Sequence, residues 1–350
     1  MRHDTPQYSL IAAALARHPW VPGSDWDWDR TVATAARECV LPALHGKLSW
    51  PPEIADFFAG IHELNADRNR QLLGEVETLA LLLNRAGIEP VLLKGAAYLT
   101  AGVYADPADR YLLDIDLLAR PPQSEQAFEI IRRSGYEPCV PNPTALVRHH
   151  HPLLAQAHRV PVEVHHSLGL GLCTTFLTAE EIVRDSVPFR LGRAAVRIPS
   201  PEHLMTHLIL HTQMQHGSYD RIWPSLRAML DLVLVGRRFT VPWDAVRNRF
   251  AVHGKTSILN LHLMQVAKVL GAPLPFPISG GGVRWWYRQL LWREPRLRYA
   301  DPLYVYCRIF LDKYHVSKRL LRDPAGLRFV LSTPFRMSFY KRLFAHIAQG

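Results

Sequence analysis

The stretch Tyr111-Leu112-Leu113-Asp114-Ile115-Asp116-Leu117-Leu118 sets two carboxylates one residue apart inside an apolar run closed by Pro121-Pro122. A short apolar run ended by a proline pair predicts a strand. Successive strand side chains alternate faces, so Asp114 and Asp116 share one face while Leu113, Ile115 and Leu117 share the other. Two neighbouring carboxylates repel each other unless a cation comes between them. The chain must therefore build a sheet with one face that accepts clustered negative charge. Hard oxygen ligands of this kind suit Mg²⁺. A third acid, Glu163, sits between Val162 and Val164 in the alternating stretch VPVEVHH, also expected to be a strand. Three acids on adjacent strands suffice to bind two metal ions, which would clamp the attacking and leaving oxygens of a phosphoryl transfer. His165 falls on the same strand face as Glu163, either tuning that acid or serving as its hydrogen-bonded partner.

The fold class follows from the order of elements. Residues 1–85 read as helices, ending in IADFFAGIHELNADRNRQLLGEVETLALLLNRAG with Gly87 as its stop. IEPVLLKG reads as a buried strand, 96–104 as a short helix and SEQAFEIIRRSGY as an amphipathic helix with Ser124 as N-cap. VPFRLGRAAVRIP reads as a pair of short strands. After Pro199 the pattern is helical again, beginning with Ser200 as N-cap and Pro201 at the first helical position. Helices follow over WPSLRAMLDLVLVGRR, WDAVRNRFAVHG and TSILNLHLMQVAKVLG, before a Gly-Pro-rich break at 271–282. The expected class is α+β: a mixed α/β core with helical N- and C-terminal regions. Its expected divisions are a helical region 1–85, the α/β core 86–200, a helical domain 201–283 and a basic, aromatic-rich helical segment 284–350.

Just before the two-aspartate strand, Lys94-Gly95-Ala96-Ala97 joins a strand to a helix, where small residues and a helix start let a phosphate approach. The order is thus strand, glycine turn, helix, strand with Asp-x-Asp, later strand with Glu. That order resembles the DNA-polymerase-β-type nucleotidyltransferase superfamily. More closely, the chain resembles a bacterial nucleotidyltransferase family with the pattern LKGaa…Y.dp..R…DiDlL…GY…vEvH. Here the pattern reads Leu93-Lys94-Gly95-Ala96-Ala97, Tyr104, Asp106-Pro107, Arg110, Asp114-Ile115-Asp116-Leu117-Leu118, Gly135-Tyr136 and Val162-Glu163-Val164-His165. The match covers roughly 86–170 and extends more weakly to about 236.

The resemblance implies Asp114 and Asp116 as Mg²⁺ ligands and Glu163 as third acid, metal ligand and base. It implies a turn at Gly95-Ala96 over the triphosphate, with Lys94 and Arg110 as phosphate contacts and His165 beside them. The implied reaction moves a nucleoside monophosphate from an NTP, most simply ATP, to an acceptor (a small molecule, peptide or RNA), releasing pyrophosphate. Ala96 stands where the wider superfamily usually has Ser, which removes one phosphate donor. A non-catalytic nucleotide- or RNA-binding protein on the same fold, or a peptide-binding helper in natural-product maturation, are the alternatives.

Composition narrows the rest. The 350 residues are 48% hydrophobic and 21% charged, which argues against global disorder and allows a sizeable core. The net charge of +10 belongs entirely to 284–350, which holds 14 Lys+Arg against 4 Asp+Glu; the first 283 residues are neutral. That segment interleaves cations with aromatics and has three readings: helices that complete the fold, a nucleic-acid contact, or contact with an anionic membrane surface. The four cysteines lack CxxC spacing and fit a reducing cytoplasm. The apolar run Leu10 to Leu15 is too short for a signal peptide, and no run of 18 apolar residues exists to span a membrane. His203, His207 and His211 recur on one helix among aliphatic residues and are expected to be structural, while His149-His150-His151 are expected in a solvated loop or at an acceptor entrance. Asp231 lies inside an apolar helical run, paired with Arg227 at i−4 or buttressing the active site.

Overall fold

The computed structural model describes residues 5–18, 23, 26–47, 50–139, 150–155, 160–168, 175–215 and 225–278. The chain divides into two compact units, Met1–His3 with Arg288–Gly350 and Asp4–Tyr287, and every described residue belongs to the second. The basic segment 284–350 lies outside the described residues, as do Cys173 and Cys307; Cys39 and Cys139 are free thiols. The elements are α1 (Thr5–Ala16), α2 (Trp28–Arg37), α3 (Pro52–Arg85), β1 (Val91–Leu92), α4 (Lys94–Thr100), β2 (Ile115–Leu118) and α5 (Ser124–Arg133). Then come β3 (Glu137–Pro138), β4 (Leu153–Leu154), β5 (Val162–His165), α6 (Ala179–Asp185), β6 (Val187–Leu191) and β7 (Ala194–Ile198). The helices α7 (Pro201–Leu210), α8 (Leu226–Arg238), α9 (Trp243–Val252) and α10 (Thr256–Leu270) follow. A mixed α/β core flanked by helical regions is an α+β fold. No described helix is long and apolar enough to cross a membrane.

The seven strands form one sheet in the order β3-β4-β5-β2-β1-β7-β6. The centre is β2, whose four residues are all buried, Asp116 included. It runs parallel to β5 on one side and antiparallel to β1 on the other. The β2–β5 register pairs Ile115 with Val162, Asp116 with Glu163, Leu117 with Val164 and Leu118 with His165. Parallel register keeps paired residues on a common face, so the pairing sets Asp116 and Glu163 side by side.

The long helix α3 enters with Pro52 in its first turn. It ends in a Schellman arrangement: Gly87 N–H donates to Asn84 O and Ile88 N–H to Leu83 O, with Gly87 at φ +74°. Its buried positions include Phe58, Asn65, Asn69, Leu72, Val76, Leu79 and Leu83, which step by three, four or seven residues and mark one stripe, widened by Glu75 and Ala80. The aliphatic part of the stripe packs on the sheet. The two asparagines grip main chain: Asn65 Nδ2 donates to Ala108 O (2.6 Å) and Arg110 O (3.1 Å), and Asn69 Nδ2 to Pro107 O (2.7 Å) and Arg110 O (2.8 Å). Arg68 adds a bond to Leu112 O at 2.6 Å and lies 4.5 Å over the Tyr111 ring. The segment that leads into β2 has little secondary structure of its own, so α3 supplies its hydrogen bonds.

Several local expectations shift. The helix expected over 96–104 begins at Lys94 and gives way to an Ala101 C-cap, because the chain turns as soon as Leu93 N–H has bonded Asp116 O. Ser124 is the first residue of α5 and not its cap; its hydroxyl donates to Pro121 O in the preceding turn. Ser200 does cap α7, accepting from His203 N–H. His203 and His207 are buried along α7, as a structural role requires. His150 is packed rather than solvated: its ring stacks on Phe128 at 4.9 Å, and its N–H bonds Val164 O of β5.

Asn69→Ala should cost about 1–3 kcal/mol of stability, the penalty for buried polar groups left unpaired. Chemical denaturation monitored by circular dichroism will measure it, and Asn69→Asp should not rescue, since a carboxylate cannot donate to the two carbonyls.

Candidate functional site

The site forms where β2 and β5 present side chains on one face and the start of α4 meets them. Asp116 is 1% exposed. Its Oδ1 accepts from Lys94 Nζ at 2.7 Å and lies 2.8 Å from His165 Nε2. The same His165 nitrogen is 3.4 Å from Glu163 Oε2. Asp116 Oδ2 is buried and has no hydrogen-bond partner among the described residues. Strand spacing explains the set: Glu163 lies opposite Asp116, and His165 lies two residues on, on the same face.

Burial alone would raise the Asp116 pKa, but the Lys94 charge and the His165 hydrogen bond more than offset it and hold the carboxyl well below the usual range. Asp114, just before β2, responds the other way. Repulsion by Asp116, then burial, pushes it up to about 6, against the pull of Lys94. Glu163 adds to the repulsion, so all three acids share one electrostatic neighbourhood. Burial disfavours the charged forms of Lys94 and His165, yet the surrounding carboxylates raise both.

A divalent cation fits these residues. One oxygen each from Asp116 and Glu163 and a nitrogen from His165 lie within 4.8 Å of one another, and the unpartnered Oδ2 of Asp116 is an acceptor in want of a positive ligand. This is the one cluster of three or more such groups among the described residues, and Asp114 lies beside it rather than in it.

The expected phosphate contacts separate. Lys94 is in the site, with a side chain 16% exposed. Gly95 and Ala96 are buried in α4. A Cβ at Gly95 would lie 2.1 Å from Leu112 Cδ2, so the absence of a side chain there serves close packing against the segment that leads into β2. Arg110 is turned inward. Its Nε is 2.8 Å from Asp231 Oδ1 and its Nη2 3.0 Å from Asp231 Oδ2, while Nη1 donates to Tyr111 O. Tyr104 donates to Asp231 Oδ1 at 2.6 Å. The forked guanidinium is thus engaged by Asp231 and Tyr111 O on the approach to Asp114. Asp231 therefore pairs across the fold with Arg110, and not with Arg227 one turn away on α8.

The strand register and donor set define a candidate metal site of two acids and a histidine. Residues 24–271 match the model of a family described as uncharacterised nucleotidyltransferase, and the chain belongs to that family. No protein with a curated description matches it. Among solved structures the chain is similar to an antigenic nucleotidyltransferase-like protein from Paracoccidioides brasiliensis, at 17% identity and a TM-score of 0.37, over 61% of this chain and 95% of that one.

Asp231→Ala strands the buried Arg110 cation and should cost about 3–5 kcal/mol. The double variant Arg110→Met/Asp231→Leu removes both charges and should recover most of that loss. Denaturant midpoints of the wild type and the two variants test the pairing.

Proposed function

We propose that the chain is a metal-dependent nucleotidyltransferase of the polymerase-β type that moves a nucleoside monophosphate from an NTP, most simply ATP, to an acceptor hydroxyl or similar group, with release of pyrophosphate. The observation that carries the reading is the β2–β5 register, which seats Asp116 against Glu163 with His165 at hand in a chain of nucleotidyltransferase family.

Asp116, Glu163 and His165 would hold a divalent cation, Mg²⁺ in the simplest case, with Asp114 beside them. When bound, such an ion neutralises the charge on the transferring phosphoryl oxygens. The geometry favours one ion at this cluster; the second ion expected from the resemblance rests on Asp114. Glu163, partly exposed at the edge of the cluster, is the acid suited to accept the acceptor's proton. Lys94 is the cation positioned to meet a phosphate, and Gly95 lets the segment before β2 close up beside it. Phosphoryl-type transfer asks mainly for positioning and charge compensation, which this arrangement can supply. The acceptor belongs to the class of small molecules, peptides and RNA, and a bacterial cytoplasm is the setting that accords with the resemblance and the cysteine usage.

Incubation of the purified chain with labelled NTPs and Mg²⁺ should release pyrophosphate or label the chain itself. Asp114→Asn should lower that turnover at least about a hundredfold while leaving the circular dichroism spectrum unchanged. Full turnover in the folded variant would sink the assignment.

A further inference from the structure

Two hydrogen-bond donors converge on one oxygen of Asp116 and leave the other bare. Lys94 Nζ and His165 Nε2 lie 2.7 and 2.8 Å from Oδ1, while Oδ2, equally buried, meets no donor. A lysine placed solely to bind a substrate phosphate would gain nothing from having its ammonium drawn inward onto an acid. Here Asp116 is in contact with that ammonium, and the charges of Asp114 and Glu163 act on it as well.

The backbone also singles out this residue. Lys94 sits at φ +47°, a left-handed conformation that costs an L side chain free energy and is uncommon outside glycine. It occupies the step from β1 into α4, and the conformation is maintained by contacts on both sides. Leu93 N–H is tied to Asp116 O, and Gly95 is packed against Leu112. A flexible four-carbon stem on such a fixed root moves its charged end without any change in the sheet.

We propose that Lys94 and a divalent cation are alternative occupants of Asp116. Without the cation, the Lys94 ammonium compensates the buried carboxylate and holds the site in shape. A cation held by Asp116 and Glu163, entering at the bare Oδ2, takes over that compensation, so the ammonium leaves Oδ1 and is free for the phosphates of an incoming nucleotide. The inference rests on the metal reading above and adds an order to it: the lysine that serves the phosphates is released by the ion. A positive charge in contact with Asp116 opposes cation binding there, so removing it should strengthen binding.

The test is Mn²⁺ titration of the full chain by calorimetry or electron paramagnetic resonance, in the wild type, Lys94→Met and Asp116→Asn. Lys94→Met should bind Mn²⁺ about tenfold more tightly or better, and Asp116→Asn should lose binding. Equal or weaker binding by folded Lys94→Met, with Asp116→Asn still lost, overturns the exclusion and leaves the metal reading standing. No Mn²⁺ binding by the wild type overturns both. Should Lys94→Met fail to fold, the wild type alone decides: acylation of Lys94 by an amine-directed reagent, followed by peptide mass spectrometry, should speed up on addition of Mg²⁺. An unchanged or slower rate overturns the proposal.

Discussion

A carboxylate taken out of water in the company of two more acids survives only if positive charge meets it, and the arrangement around Asp116 follows from that requirement. The oxygen that is paired takes Lys94 from just after β1 and His165 from the end of β5. One donor follows β1 at the start of α4 and the other ends β5, the two strands that flank β2, so the charge compensation and the sheet order are one arrangement. The cost of burying Asp116 is offset by partners whose own burial would otherwise be unfavourable. The result is a strand whose polar face is fixed without the loss of a central position in the sheet.

The helices provide a second layer of support, and they do it with polar groups in apolar surroundings. From α3 come the amides of Asn65 and Asn69; from α8 comes Asp231, bonded to Arg110 and Tyr104. The two helices act on the same short stretch from opposite ends of the sequence. The α8 contact explains why an acid lies within an otherwise apolar helical run. Its partner lies about 120 residues away in the chain and brings two further groups into register with it.

Much of this was legible in the sequence because it depends on periodicity. The two-residue repeat of a strand puts Asp116, Glu163 and His165 on usable faces, and the three-and-four spacing of α3 marks its buried stripe. What the sequence could not show depends on tertiary approach. Nothing local distinguishes an inward-facing Arg110 from an outward-facing one, because the deciding partner is Asp231. The left-handed Lys94 carries no compositional signal, since such backbones are ordinarily flagged by glycine or asparagine. Asp114 and Asp116 look equivalent as letters. They differ in structure because the strand begins at Ile115, leaving one acid inside the sheet and the other at its threshold, next to Leu113, which is 45% exposed.

The grip of α3 on the stretch before β2 is exerted mainly on carbonyl oxygens, with His62 beside Asp106 and Asp109 and Arg68 over the Tyr111 ring adding side-chain contacts. The carbonyl part of such a clamp does not read residue identity but is sensitive to spacing. Homologous chains should therefore keep the number of residues between Pro107 and Asp114 constant. One inserted residue would shift every carbonyl off its amide and carry the acids out of step with β5. In this chain the connection between two elements, ordinarily the place where evolution adds and removes residues, is the part whose length is least negotiable.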